Sequence, residues 1–595
     1  MSKSLKRLTI VFSILIVILI SGFLWLRVNM GRIAGDIILS QFNSSGLSGV
    51  YHIEFDKLKL NVLAGEISIN NFHLKVDTTF YQADDTIRFK HQFLFEAELT
   101  GLSLTGLDVK AFLLKKELHI KGIEIDDPGI RVIDHLTKKE KIARSKWIAS
   151  QIKQPDTATR KKISLGELSL DYFRMSGGNA EFYDRVNDKS IFVVNSVNLL
   201  LTSLIVDPDF PLKTLIDKRY KESKFSLGAI NFNSEKGFYD FALNGVDLDI
   251  TENRLVLKDF QLKPKYSKSQ FGKKFGKQTD RIAVEIKNIE IAGFDLEKYF
   301  TAGDLLISTI KIDGVDLEIY RDKNDPFDFE NFPKFPWQAL AGIEVPFQID
   351  TISVRNSVIR YEELAPERPE AGKVPLSNVK VDIFKCSNKP DYIAKNGPMI
   401  CLLEAKLFNE GDMFVQINVP SDFSSSEFEF HGRIDRMNMQ AFNMITELNV
   451  MVNIEEGQLD SLIFWAHANE KISTGQMVMA YKNLKINVLK KENENKESQN
   501  QFGMLSWLSN QMIRGFNPSQ KKPGEKPMVA EIFVERDINK SVFNYIVKSI
   551  ISGIKATLVP GVGPTLKKYE KTEKKEAKKE AKETKKQERK AKKNN

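Results

Sequence analysis

Recognisable catalytic machinery is what this sequence lacks. Its 595 residues hold no P-loop, no GxSxG elbow and no dinucleotide-binding glycine fingerprint. His52, His73, His91, His119, His135, His431 and His467 are scattered singly, with no HExxH and no Cys/His cluster. Carboxylates are plentiful but fall at the polar positions of strand-like stretches, where solvation is the default. No catalytic residue, metal ligand or cofactor is therefore assigned, and the expectation is a protein that is not an enzyme. Cysteine is equally scarce. Cys386 and Cys401 fit either a short-loop disulfide in an exported protein or two buried free thiols, and their spacing matches no metal knuckle or redox motif.

Charge is absent where a nucleic-acid binder would need it. The net charge of +9 resides almost wholly in 567–595, where 14 Lys or Arg face 6 Glu, so the rest of the chain is balanced. A body without a basic groove or stripe argues against DNA or RNA as a partner.

Long apolar runs are limited to one, Thr9 to Leu26, preceded by Lys3, Lys6 and Arg7 and followed by Trp25 and Arg27 at its far boundary. Its length suffices to cross hydrocarbon as a helix, and no small-x-small cleavage site follows it. The expectation is a retained anchor over 9–27, with 1–8 in the cytoplasm by the positive-inside bias and the remainder on the far side.

What is abundant is a strand pattern with a slip. In "IKIDGVDL" (310–317), Ile310 and Ile312 alternate with polar residues, as do Val315 and Leu317, but the two pairs are out of step at Gly314. The same apolar-x-apolar-x-(Gly/Asn/Asp)-apolar-x-apolar form recurs in 67–74, 102–109, 118–125, 241–248, 255–262, 289–296, 374–381 and 479–486, with a near match at 192–199. Two local structures explain it: a two-residue hairpin turn, or a bulge that bends one strand and returns its later side chains to the earlier face. Asp-Gly at 313–314 and Asn-Gly at 244–245 favour the hairpin; Lys-Asp at 258–259 favours the bulge. Either way one face stays apolar.

The fold class expected is mainly β: an elongated, curved antiparallel sheet over 28–500 with few helices. Helices are expected after the anchor, near Lys138–Ile152, near Met437–Leu448, near Gly503–Gly515 and near the C-terminus. They are too few to cover such a sheet, so it closes on itself, packs on a second sheet or encloses something else. In the C-terminal segment 501–566, an amphipathic helix spans 539–558. Phe543, Ile546, Val547, Ile550, Ile554 and Leu558 form its apolar stripe, which either docks on a membrane or partner or plugs the open end of the sheet. The tail 567–595 is low-complexity and rich in Lys and Glu.

The stretches "EEGQLDSLIFWAHANEKISTGQMVMAYKNLKINVLKK" (455–491) and "VERDINKSVFNYIVKSIISGIKATL" (534–558) resemble the C-terminal region of AsmA-like envelope proteins of the Bacteroidetes type. "GEISINNFHL" and "LHIKGIEIDDPGIRVID" are similar to that family's opening repeats. The resemblance implies a taco-like β-groove in the periplasm, anchored in the inner membrane and related to repeating-β-groove bridge-like lipid transfer proteins. It implies phospholipid as cargo, and the outer membrane or its proteins as partners of the C-terminal helix. Groove-lining residues would include Ile289, Ile291, Phe294, Leu296, Ile310, Ile312, Val315 and Leu317. About thirty strands at about 4.8 Å each would make a groove roughly 140 Å long. The alternative is a scaffold or assembly factor for outer-membrane proteins, with no lipid in the groove.

Overall fold

The structure is a computed structural model that describes chiefly residues 48–489 and 513–572, apart from internal segments of which 109–117, 145–167 and 207–219 are the longest. The expected anchor over 9–27 and most of the helix expected near Gly503–Gly515 lie outside the described residues. The chain is mainly β and divides into two units, 1–260 and 261–595.

In the first unit, β1 (Tyr51–Glu54) and β2 (Lys57–Asn61) pair in succession with β3 (Glu66–Val76), which pairs with β4 (Phe93–Thr105). Next come β5 (Leu118–Asp126) and β6 (Gly129–Asp134), both between β4 and β7 (Leu168–Asp184), followed by β8 (Lys189–Val206). Then β9 (Glu222–Leu227) and β10 (Ile230–Asn233) lie along β8, and β11 (Tyr239–Leu243) and β12 (Gly245–Asp249) lie along β13 (Arg254–Pro264). Several named strands are thus two halves of one bent strand.

The second unit is a ladder running from β14 (Asp280–Ala292) through β15 (Leu305–Asp322), β16 (Phe347–Leu364) and β17 (Gly372–Ser387) to β18 (Ile400–Leu407) and β19 (Gly411–Asn418). It continues through β20 (Phe428–Ile434) and β21 (Met437–Asn438), which share β22 (Val452–Ala468), to β23 (Ile472–Val488) and β24 (Val529–Glu535). Among the described residues, counting bent strands once, the first unit has nine ladder positions and the second ten, against the thirty strands expected.

Pairing departs from the purely antiparallel expectation at two places. The β5 and β6 halves run parallel to β7, and β15 runs parallel to β16. The second case follows from connection length: residues 323–346, carrying α2 (Pro336–Ala341), return the chain to the starting end of β15 before β16 begins. Other helices named among the described residues of the second unit are α1 (Lys268–Phe275), α3 (Pro390–Asn396), α4 (Asn443–Val450) and α5 (Val542–Leu558), and 566–572 is helical as well. The expected helix near Met437–Leu448 is thus a two-residue strand, a 3-10 turn and α4.

The recurrent slip is a left-handed residue inside a continuous strand. Positive φ occurs at the slip position in seven of the nine stretches: Asn71, Gly106, Asp259, Gly293, Gly314, Asn378 and Asn483, and also at Ser196 in the near match. Gly314, with φ +69°, sits in mid-β15, and the β14–β15 register is the same on both sides of it. The hairpins expected at 313–314 and 244–245 are not formed. A left-handed residue bends the strand without reversing it, and β11 and β12 stay on one partner, β13.

These residues align from strand to strand. The parallel register sets Gly314 beside Asn356 (φ 52°) of β16, and the pairing of β16 with β17 brings Asn378 (φ 50°) next to it. The result is a crease across the sheet. At the crease Ser357, 2% exposed, accepts the Val315 N–H at 3.1 Å and donates to the Arg355 carbonyl at 2.7 Å. A side-chain hydroxyl thereby replaces a ladder partner.

A left-handed conformation suits Gly and tolerates Asn, but a β-branched side chain meets severe strain there. Gly314→Asn is therefore expected to lower stability by less than about 1 kcal/mol and Gly314→Val by about 2 kcal/mol or more, read from urea unfolding midpoints. Equal losses would remove the left-handed residue as the basis of the slip.

Candidate functional site

Residues directly opposite across strands share a face, so the register converts the slip pattern into rows. One row runs Ile291–Ile310–Ile352–Ile383–Cys401–Ile417–Phe430–Ala466, from β14 to β22. Beside it runs Ile289–Ile312–Val354–Val381–Leu403–Val415. Across the crease a third runs Val284–Leu317–Ile359–Leu376–Leu407. Every member is apolar.

The two sides of the crease share one face. On β17, Val374 and Leu376 precede Asn378 and Ile383 follows it, yet all three pack on the same core. On β23, Met479 and Tyr481 precede Asn483 and Leu484 follows it, and again all lie in that core. The opposite face carries charge in cross-strand pairs, among them Lys311–Glu290 at 3.5 Å, Arg355–Asp382 at 2.7 Å and Arg281–Glu318 at 3.1 Å.

Cover divides the rows. Towards β20–β24 they are buried under α5: Phe430, Ala466, Met477 and Ile532 are each 0% exposed. A Cβ on Gly553 of α5 would lie 2.9 Å from Met477 Cε and 3.0 Å from Ile532 Cγ1, so the helix approaches the sheet as closely as a glycine permits. Towards β14–β16 the rows emerge from that cover. Ile289, Ile291, Ile310, Ile312, Val315 and Leu317 are each only partly buried and belong to no core cluster. Phe294 and Leu296 lie past Ala292, the last residue of β14, but the bonding to β15 carries on through left-handed Gly293: the Ser308 N–H bonds the Gly293 carbonyl at 3.2 Å and the Asp295 N–H bonds the Leu306 carbonyl at 3.1 Å. Both side chains are partly buried.

The first unit repeats the arrangement. A row Ile69–Leu102–Ile125–Met175–Leu199–Phe225–Leu248–Leu255 crosses it from β3 to β13, with every side chain partly exposed. This row was not singled out from sequence. The slip stretches were its signal, since they supply Ile69, Leu102, Ile125, Leu199, Leu248 and Leu255.

The C-terminal helix uses its own stripe differently from the docking expectation. Ile546 and Leu558 are buried in the main core and Ile550 and Ile554 pack against it, while Phe543 stands 62% exposed. Ser552, on the polar side by sequence, donates to the Phe533 carbonyl of β24 at 2.8 Å. The helix therefore covers its own sheet with most of the residues expected to dock elsewhere.

Titratable groups are structural in setting. Burial opposes ionisation of Glu363, but Lys323 at 2.6 Å and hydrogen bonds from Lys323, Tyr361 and Asn449 outweigh it and hold the carboxyl below its ordinary range. The adjacent Tyr361 phenol is pushed well up by burial and by Glu363. Among the described residues no group of three or more His, Cys, Asp or Glu side chains is placed to hold a metal ion. The two cysteines are free thiols: Cys401 faces Ile383, three residues from Cys386, on the neighbouring strand. Burial pushes the Cys386 thiol up to about 11 and raises Cys401 as well.

No family model matches the chain, and no curated protein matches it.

Two outcomes follow. Leu317→Asp places a carboxylate on a half-exposed face and should cost less than about 1.5 kcal/mol, whereas Phe464→Asp buries an unpaired charge and should cost more than about 4 kcal/mol. Urea melts of the two variants give the comparison, and similar losses would make the β14–β16 face an ordinary core. The Cys386 thiol should also resist iodoacetamide at pH 8 in the folded protein and react within minutes in urea, with the partly exposed Cys401 protected less; rapid native labelling of Cys386 would contradict its burial.

Proposed function

We propose that this protein is a membrane-anchored, non-enzymatic carrier that holds phospholipid acyl chains along its apolar sheet face and conducts them through the periplasm towards the outer membrane. The observation that carries the reading is the unbroken set of apolar rows whose side chains are only partly buried at Ile310, Ile312, Val315 and Leu317. A continuous apolar floor is what transport along a trough needs. Each acyl methylene leaving a bilayer must find equivalent burial, about 0.8 kcal/mol, and a polar gap would act as a barrier. Head groups would remain in water at the rim, and no nucleotide site is needed, since flow would follow a lipid gradient or a partner.

The AsmA-like resemblance supports the same reading and supplies its setting: an inner-membrane anchor at 9–27, a taco-like groove and a periplasmic body. Among the described residues no helix is long and apolar enough to cross a membrane, so the anchor rests on the sequence of 9–27.

The test is site-specific photocrosslinking in cells. A benzoylphenylalanine at 312 or 317, on the apolar face, should capture phosphate-labelled lipid; one at 311, on the charged face, should not. Absence of lipid adducts at all three positions, or equal capture at all three, would sink the proposal.

A further inference from the structure

One surface of the second unit is built unlike the rest. The connection after β15 and the turn before α5 lie side by side. The Asn539 side-chain amide donates to the Phe329 and Asn331 carbonyls at 2.9 and 3.0 Å, and Arg536 reaches the Pro333 carbonyl at 3.3 Å. From these two adjoining segments project four large apolar side chains: Phe329 is 74% exposed, Phe332 60%, Ile538 51% and Phe543 62%. Single exposed apolar residues are ordinary, but four on two segments locked together form a patch.

Cations sit within the patch. Lys540 Nζ lies 4.0 Å from the Phe327 ring centroid, and the Arg536 guanidinium 4.0 Å from that of Phe335. Burial pushes both groups below their ordinary values; Arg321, Lys323 and Lys548 add repulsion at Lys540, which Asp537 opposes. Both cations rest on rings of the same connection, Phe335 buried and Phe327 partly buried, and a partly desolvated cation beside the exposed Phe329 and Phe332 suits an anion arriving with an apolar surface.

The C-terminal extension points the same way. Residues 566–572 are helical; the Leu566 N–H bonds Glu531 at 2.9 Å, and the Tyr569 ring lies 5.5 Å from that of Phe533. The extension thus advances along β24 from Glu531 to Phe533, in the direction of Glu535 and the turn that carries Ile538 and Phe543. It carries Lys567, Lys568, Lys571, Lys574 and Lys575.

We propose that this end of the second unit docks on an anionic phospholipid bilayer, inserting Phe329, Phe332, Ile538 and Phe543 among the head groups while Lys540, Arg536 and the basic extension meet lipid phosphates. The docking does not depend on lipid occupying the apolar rows.

The test uses the full chain in nanodiscs, so that its own anchor is occupied, sedimented with separate vesicles of phosphatidylglycerol mixed with phosphatidylcholine or of phosphatidylcholine alone. Wild type should sediment with the anionic vesicles and lose affinity as salt rises. F332S/F543S and, independently, F329S/I538S should weaken binding at least about tenfold with unchanged melting temperature, because the side chains removed are exposed. K571E/K574E/K575E should weaken binding to anionic vesicles only. Unchanged vesicle binding by both apolar double variants would overturn the proposal. So would a change in oligomeric state with vesicle binding retained, which would assign the patch to a second copy of the chain.

Discussion

A single backbone constraint underlies the sheet: a strand that alternates faces strictly cannot bend sharply and keep one face apolar unless one residue leaves the β region. Gly314, Asn356 and Asn378 do so side by side on β15, β16 and β17. Each left-handed residue restores the alternation to its former face, so Ile310 and Leu317 open rows that end in the same core. Alignment is not what holds the ladder: β14 has no left-handed residue beside Gly314 and keeps one register with β15 throughout, whereas β16 and β17 shift register at Ser357. The Ser357 hydroxyl shows how the lost ladder bond is replaced at the crease.

That constraint leaves a thermodynamic residue. Fully burying an Ile or Leu contributes about 1.5–3 kcal/mol, so each partly exposed member of the β14–β16 rows leaves no more than about a third of that unrealised. A sheet evolved for stability alone would cover this face, as α5 covers Met477 and Ile532. The rows that α5 leaves uncovered keep that apolar area in partial contact with water. The opposite, charged face is stabilised on its own terms, through cross-strand pairs such as Arg321 with both Asp280 oxygens at 2.7 Å.

Much of this was legible in the sequence because the slip is a local steric rule. Seven of nine matched stretches hold positive φ at the expected residue, whereas Gly122 and Gly245 do not, since the motif also admits ordinary extended glycine. Asn356 escaped the pattern because Ser357, not an apolar residue, follows it, and that serine is the one whose hydroxyl accepts the Val315 N–H. The parallel pairing of β15 with β16 left no trace in either strand, as it is decided by the 323–346 connection. Strand ends were also hidden: β14 stops at Ala292, yet Gly293 and Asp295 continue its backbone bonds to β15 past the slip.

The C-terminal helix shows why amphipathicity alone does not choose between docking and closure. Its apolar stripe by sequence centres on Phe543, Val547 and Ile554, but the side set against the sheet centres on Ser549 and Gly553, where small side chains allow close approach. Hydrophobicity marks which residues avoid water, whereas side-chain size marks where two elements can meet. The two criteria disagree by part of a turn, so the helix closes its own core with Ile546 and Leu558 and still presents Phe543 to solvent. A helix placed this way covers one end of the apolar rows without covering their length.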